Sequence, residues 1–96
     1  MPIDIIFWAL TALIGVGVVA LLTWSSIRDW LYGNKVNYDD YGVLIREAIG
    51  SGKVRVVAGV WNRRGEKTAQ SSWEAENVDS ELQAKFGWSN TVKITL

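Results

Sequence analysis

The sequence contains no cysteine and no histidine. Without cysteine, the chain has no disulfide bonds, zinc–thiolate sites, iron–sulfur clusters or thiol nucleophiles. Without histidine, it lacks the commonest general base, the commonest metal ligand and the usual pH switch near neutrality. A catalytic site would have to use carboxylates, lysine or tyrosine, and those residues form no recognisable constellation. We therefore predict that the protein is not an enzyme and holds no metal or cofactor.

The sequence also lacks net charge, because ten basic and ten acidic residues cancel. A nucleic-acid-binding chain normally carries a clustered positive surface, so we predict no nucleic-acid partner. What the chain has in excess is tryptophan, with six residues of this type among 96. Tryptophan is enriched at membrane interfaces and at protein interfaces, and both environments are considered below.

The segment from Ile5 to Trp24 contains no charged residue. As a helix it would be about 30 Å long, which matches the hydrocarbon core of a bilayer. Trp8 and Trp24 lie near its ends, as in an aromatic belt. We therefore predict that residues 1–24 form a transmembrane anchor helix. The alternatives are a buried helix or a cleaved signal peptide, which is disfavoured because no positive segment precedes the run and no small-x-small cleavage site follows it.

Basic residues flank the predicted span on one side only. Arg28 and Lys35 follow it, and no lysine or arginine precedes it. The positive-inside rule then predicts a single-pass protein of the cell inner membrane, with its N-terminus outside and its C-terminal domain in the cytoplasm. Residues 25–37 are predicted to form an amphipathic juxtamembrane connector. The apolar residues on one face of this helix are Trp24, Ile27, Trp30 and Leu31.

The remaining residues, 38–96, are predicted to form a small soluble α+β domain in the order α-β-β-α-β. A helix capped by Asp39 or Asp40 would end at Gly50, and strands 53–61 and 67–75 would form a hairpin around residues 62–65. A four-residue turn would pair Val56 with Ser71. A short helix over 80–86 and a final strand over 91–96 complete a three-stranded antiparallel sheet. The last strand would lie beside strand 53–61, and Trp88 would cover the core.

Partner-binding residues are predicted in the span, the connector and the hairpin. Small residues in the span would allow close helix packing, and apolar residues on the open face of the hairpin would contact a partner. The alternatives are that a loop covers Trp61 and that the tip arginines are only solvated. The predicted partner-binding residues are Thr11, Gly15, Gly17, Trp30, Val57, Trp61, Arg63 and Arg64.

These expectations combine into one functional hypothesis. The chain would be a small single-pass accessory or interaction subunit of a larger membrane-bound assembly, with the lipid bilayer and other membrane protein subunits as partners. The alternative is a self-associating membrane effector or regulator of the phage- or stress-related type, which would form a homo-oligomer.

Overall fold

A five-stranded mixed sheet organises the part of the chain that the computed structural model describes, residues 18–50 and 52–96. The strand order across the sheet is β1-β4-β3-β2-β5, with β1 parallel to β4 and all other neighbours antiparallel. The elements in chain order are β1 (Val18–Leu22), α1 (Trp24–Asn34), β2 (Tyr41–Ile49), β3 (Lys53–Trp61), β4 (Lys67–Val78), α2 (Ser80–Phe86) and β5 (Thr91–Thr95).

Both described helices pack on the same face of the sheet. Ile27 and Leu31 of α1 and Leu82 of α2 are fully buried against strand residues such as Leu44 and Val56. The apolar face predicted for the connector helix is therefore confirmed, but it contacts the sheet. The predicted α2 is also confirmed, as are the inward positions of Val92, Ile94 and Leu96 along the last strand.

Asp79 connects the beginnings of the two helices. Its Oδ1 accepts a hydrogen bond from the Leu82 backbone N–H at 2.9 Å, which is the usual N-cap arrangement for α2. The same oxygen accepts a bond from the Trp24 backbone N–H at 3.2 Å. One carboxylate therefore fixes the first turn of α1 and the first turn of α2 together.

The predicted membrane anchor is wrong. Val18–Leu22, within the predicted span, is a strand, and Trp24 begins an amphipathic helix whose apolar face is buried in the domain. Among the described residues, no helix combines the length and the apolar character needed to cross a bilayer. Because the predicted anchor is wrong, the predicted inner-membrane location and the orientation inferred from Arg28 and Lys35 are wrong as well. The rest of the predicted span, residues 5–17, lies outside the described residues.

The predicted first helix of the domain is also wrong, because Tyr41–Ile49 forms strand β2. This strand lies between β3 and β5, and Val43, Leu44 and Ile45 are all buried there. Successive side chains of a strand point to opposite faces, so a run of buried apolar residues requires that both faces of the sheet be covered. The prediction of a three-stranded sheet is therefore wrong, because the described sheet also contains β1 and β2. The last strand, β5, lies beside β2 and not beside strand 53–61 as predicted.

The hairpin of β3 and β4 exists, but its register differs by two residues from the predicted one. Val56 pairs with Trp73, and Val60 pairs with Ala69. A bulge between Val60 and Trp61 and a connection over residues 62–66 replace the predicted four-residue turn. Since the shift is an even number of residues, the side chains of residues 54–60 and 69–75 stay on their predicted faces, whereas the bulge moves Lys67 to the face of Trp61.

Candidate binding cleft at the hairpin tip

A concave site lies at the tip of the β3–β4 hairpin. It is a cleft of about 340 Å³ between this tip and the loop that joins α1 to β2. We call it the tip cleft. Its lining residues are polar or aromatic and come from both segments: Asn37, Tyr38, Asp39, Asn62, Arg63 and Arg64.

The pairing of β2 with β3 brings the two walls of the tip cleft together. Tyr41, the first residue of β2, pairs with Trp61, the last residue of β3. Because the strands are antiparallel, the residues before Tyr41 and those after Trp61 leave the sheet side by side. The tip cleft is therefore a consequence of the strand that replaces the predicted helix.

Asp40 fixes the loop wall of the tip cleft. Its Oδ2 accepts hydrogen bonds from the backbone N–H groups of Val36 and Asn37, both at 2.9 Å. These two bonds lower the pKa of the Asp40 carboxyl below its ordinary value, so the side chain is a carboxylate at neutral pH. The residue is only 2% exposed, and its Oδ1 is buried without a hydrogen-bond partner in the structure. Asp40 thus orders the loop in front of β2 and does not cap a helix behind it.

Asn62 fixes the hairpin wall in a similar way. Its Oδ1 accepts bonds from the backbone N–H groups of Arg64 and Glu66, each at 3.0 Å. Gly65 adopts a φ of 81°, a left-handed backbone conformation that residues other than glycine rarely adopt. These local constraints present Arg63 and Arg64 at defined positions on the turn.

The two arginines are highly exposed and only loosely paired. Arg63 Nε lies 3.7 Å from Asp39 Oδ2, and Arg64 Nε lies 3.1 Å from Glu66 Oε1. The side chains of the arginines are 78% and 77% exposed. Exposed pairs of this kind contribute about 0–1 kcal/mol, so a ligand carboxylate can replace either internal partner. Tyr38, which is 86% exposed, adds a ring and a hydroxyl beside them.

The other predicted partner-binding residues lie elsewhere. Trp30 is half-buried on α1, with its ring edge-on to Trp73 at a centroid distance of 5.9 Å. Val57 and Trp61 are each 1% exposed, so they cannot touch a partner unless their covering is displaced. Thr11, Gly15 and Gly17 lie outside the described residues. Among the described members of the predicted set, Arg63 and Arg64 meet in the tip cleft.

Sequence reasoning missed Asn37, Tyr38 and Asn62 as lining residues and favoured a helix-capping role for Asp39. The available signal was the strand character of residues 41–49, which would have placed the preceding loop beside the hairpin tip. Sequence reasoning also placed Trp88 over the core, which is wrong, because this residue is fully exposed between α2 and β5.

Acidic side chains in the described segments do not form a metal-binding group of three or more. The tip cleft offers two guanidinium groups, two amides, one phenol and the Asp39 carboxylate. The guanidinium groups suit recognition of ligand carboxylates by hydrogen bonding. Comparisons of the whole chain with family models, curated proteins and solved structures gave no match.

Proposed function

We propose that this protein is a non-catalytic interaction module that binds an acidic segment of a partner protein in the tip cleft. The observation that carries the proposal is the meeting of two exposed arginines with an exposed tyrosine in one concave site. Arginine binds carboxylates through two parallel N–H groups, which gives both affinity and orientation. Tyrosine and arginine are also enriched among residues that dominate protein interfaces.

The construction of the walls supports binding. Both walls are held by hydrogen bonds within the domain, through Asp40 on one side and Asn62 on the other. A site that is ordered before its ligand arrives loses less conformational entropy on binding. The weak internal pair of Arg63 with Asp39 keeps one guanidinium near the cleft while leaving it open to exchange.

The experiment compares binding of a synthetic peptide rich in glutamate, aspartate and tyrosine with that of a matched peptide carrying glutamine and asparagine instead. Titrations of the full chain followed by NMR should show shifts of the backbone amides in residues 37–39 and 62–64 with the acidic peptide. The matched peptide should bind much more weakly, and added salt should weaken the acidic peptide's binding.

Variants make the test specific to the site. The double variant Arg63→Ala/Arg64→Ala should weaken binding several-fold to about tenfold, since two exposed guanidinium–carboxylate pairs contribute up to about 1 kcal/mol each. The control Arg28→Ala/Lys53→Ala removes the same charge from α1 and from the opposite end of β3, and should bind as the unaltered protein does. Asp39→Asn should strengthen binding, because it removes the carboxylate that competes for Arg63. Equal losses in both double variants, or weaker binding by Asp39→Asn, would contradict the proposal.

A further inference from the structure

Three exposed apolar or aromatic side chains lie next to one another along the chain beside the tip cleft. Tyr32, near the end of α1, is 51% exposed, Val36 is 78% exposed and Tyr38 is 86% exposed. Single exposed apolar residues are common on protein surfaces, whereas a group of them marks an interaction site more often. We call these three residues the apolar strip. Because Tyr38 also lines the tip cleft, the strip and the cleft form one continuous surface.

The buried carboxylate of Asp40 keeps the apolar strip turned outward. The backbone N–H groups of Val36 and Asn37 both donate to its Oδ2. The Asp40 backbone N–H donates to the Asn37 carbonyl oxygen at 3.1 Å, which closes a turn that has Tyr38 at its outer side. The backbone of this segment is therefore held towards the domain, while the Val36 and Tyr38 side chains face solvent from an ordered loop.

The charge beside the apolar strip has the same sign as the charge of the arginines in the cleft. The Lys35 ammonium group lies 5.8 Å from the centre of the Tyr32 ring, and residues 32–36 include no acidic side chain. A segment that lies across the strip and the cleft meets Lys35 at one end and Arg63 and Arg64 at the other. Such a surface suits an occupant that combines negative charge with an apolar group.

We infer that the acidic segment bound in the tip cleft also carries an apolar side chain, which packs on the apolar strip. This rests on the proposed function, since it specifies a second feature of the same partner. The Cα atoms of Val36 and Tyr38 are at most about 7 Å apart, because two residues extend no further. An extended peptide advances about 3.3 Å per residue and presents alternate side chains on one side. The apolar residue should therefore stand about two positions from the carboxylate that binds Arg63.

The apolar contact gives the site a selectivity that the arginines alone do not supply. Exposed ion pairs contribute little to affinity, and salt screens them. Burial of an apolar side chain is favourable whatever the salt concentration in the physiological range, and it rejects acidic segments without such a side chain. The partner class is thus an acidic segment with an apolar residue between its carboxylates.

Three synthetic peptides test this with the full chain. The first carries leucine two positions after glutamate, the second carries serine in place of each leucine, and the third keeps leucine but carries glutamine in place of glutamate. Titrations followed by NMR give the affinities. The first peptide should bind about five- to tenfold more tightly than the second and should also shift the backbone amides of residues 32–36. The third should bind more weakly than either.

Variants assign this preference to the apolar strip. Tyr32→Ser/Val36→Ser removes two exposed side chains and should bind the leucine and serine peptides alike. Trp88→Ser is the matched control, because it removes a fully exposed aromatic side chain outside the strip. The connection that carries Trp88 is bonded to Arg46, roughly 16 Å along β2 from Tyr41 at the cleft end. This control should keep the preference for leucine.

The outcomes separate this inference from the proposed function. If neither glutamate peptide binds, both are wrong. If the leucine and serine peptides bind the unaltered protein equally, the inference alone is wrong. It is also wrong if Tyr32→Ser/Val36→Ser keeps the preference, or if the glutamine peptide binds as tightly as the first peptide. A dimer in sedimentation that this double variant converts to a monomer would assign the strip to a second copy and would overturn the inference as well.

Discussion

Replacing Gly59 with alanine tests whether Trp61 is locked over the centre of β3. A Cβ atom at position 59 would lie 2.3 Å from Cζ3 of the Trp61 ring and 2.6 Å from its Cη2. Carbon atoms in ordinary contact are about 3.5–4.0 Å apart, so the ring has to move by more than about 1 Å. Trp61 is only 1% exposed, so that movement has to displace the groups that bury the ring.

The magnitude follows from two opposing effects. Overpacking of a filled core costs about 1–3 kcal/mol in the free energy of unfolding. Replacing a glycine inside a strand recovers about 0.5–1 kcal/mol of backbone conformational entropy. The short approach of 2.3 Å places the overpacking cost in the upper part of its range, so we expect Gly59→Ala to destabilise the protein by about 1–2 kcal/mol. For a domain of this size each kcal/mol lowers the melting temperature by about 4–8 °C.

The assay is equilibrium unfolding in urea followed by far-ultraviolet circular dichroism, because tryptophan fluorescence would respond to movement of Trp61 itself. The slope of the free energy with urea should be unchanged while the midpoint falls. Gly33→Ala is the matched control, since a Cβ there meets nothing within 4 Å and the site lies in α1. That substitution should stabilise the protein by about 0.5–1 kcal/mol through helix propensity.

A double-mutant cycle identifies Trp61 as the cause. In a Trp61→Leu background the clash disappears, so Gly59→Ala should become neutral or stabilising. The reasoning is refuted if Gly59→Ala is as stable as the unaltered protein, or if its cost is the same when Trp61 is leucine.

Two further predictions concern carboxylates that hold backbone groups. Asp40 has a folded-state pKa below the ordinary 3.8, so its contribution to stability is complete above that value and is lost as the pH falls through the lowered pKa. Asp40→Asn should therefore be less stable at pH 7, by urea midpoint, and the difference should shrink below pH 3.8; a constant difference would contradict this. Asp79→Ala removes the acceptor for both Leu82 and Trp24 and should cost about 1–2 kcal/mol, more than loss of the single cap bond in Thr23→Ala, as measured by thermal unfolding.

Elements with local signals could be predicted from the sequence. Helix α2 has a capping aspartate, an i, i+4 pair of Leu82 and Phe86, and Gly87 at its end with a φ of 59°. Each of these signals acts within a turn or two of helix and needs no distant partner. The final strand is similar, because its alternation of apolar and polar residues already identifies the buried face.

The segment that became β2 could not be identified by its periodicity. Val43, Leu44, Ile45, Ala48 and Ile49 fit one face of a helix about as well as they fit a strand buried on both sides. The choice depends on β3 and β5, which are both hydrogen-bonded to this segment in the folded chain. Tertiary pairing therefore overrode the helix-favouring residues near its end, and this pairing also created the tip cleft.

The uncharged stretch failed as a membrane signal for a related reason. Hydropathy measures the tendency of a segment to leave water, but it does not reveal whether the segment is buried in lipid or in protein. Residues 18–22 form β1, which is hydrogen-bonded in parallel to β4. No local sequence pattern predicts this pairing, because the two strands are far apart in the chain. Arg63 and Arg64 of the candidate site could be predicted, because charged residues in a hairpin turn can be identified from the local sequence. The loop wall of the tip cleft could not, because its position depends on the pairing of β2 with β3.

The parallel pairing of β1 with β4 also has a consequence for biosynthesis. Val18 pairs with Glu74 and Leu22 pairs with Val78. Strand β1 therefore cannot pair until β4 has been translated. A nascent chain on the ribosome can form α1 and the β2–β3–β4 meander in order, but residues 18–22 stay unpaired until β4 has emerged. Once β4 has emerged, pairing satisfies the backbone hydrogen-bonding groups along one side of β1, while the side chains of Val18, Val19 and Leu21 stay exposed in the folded domain.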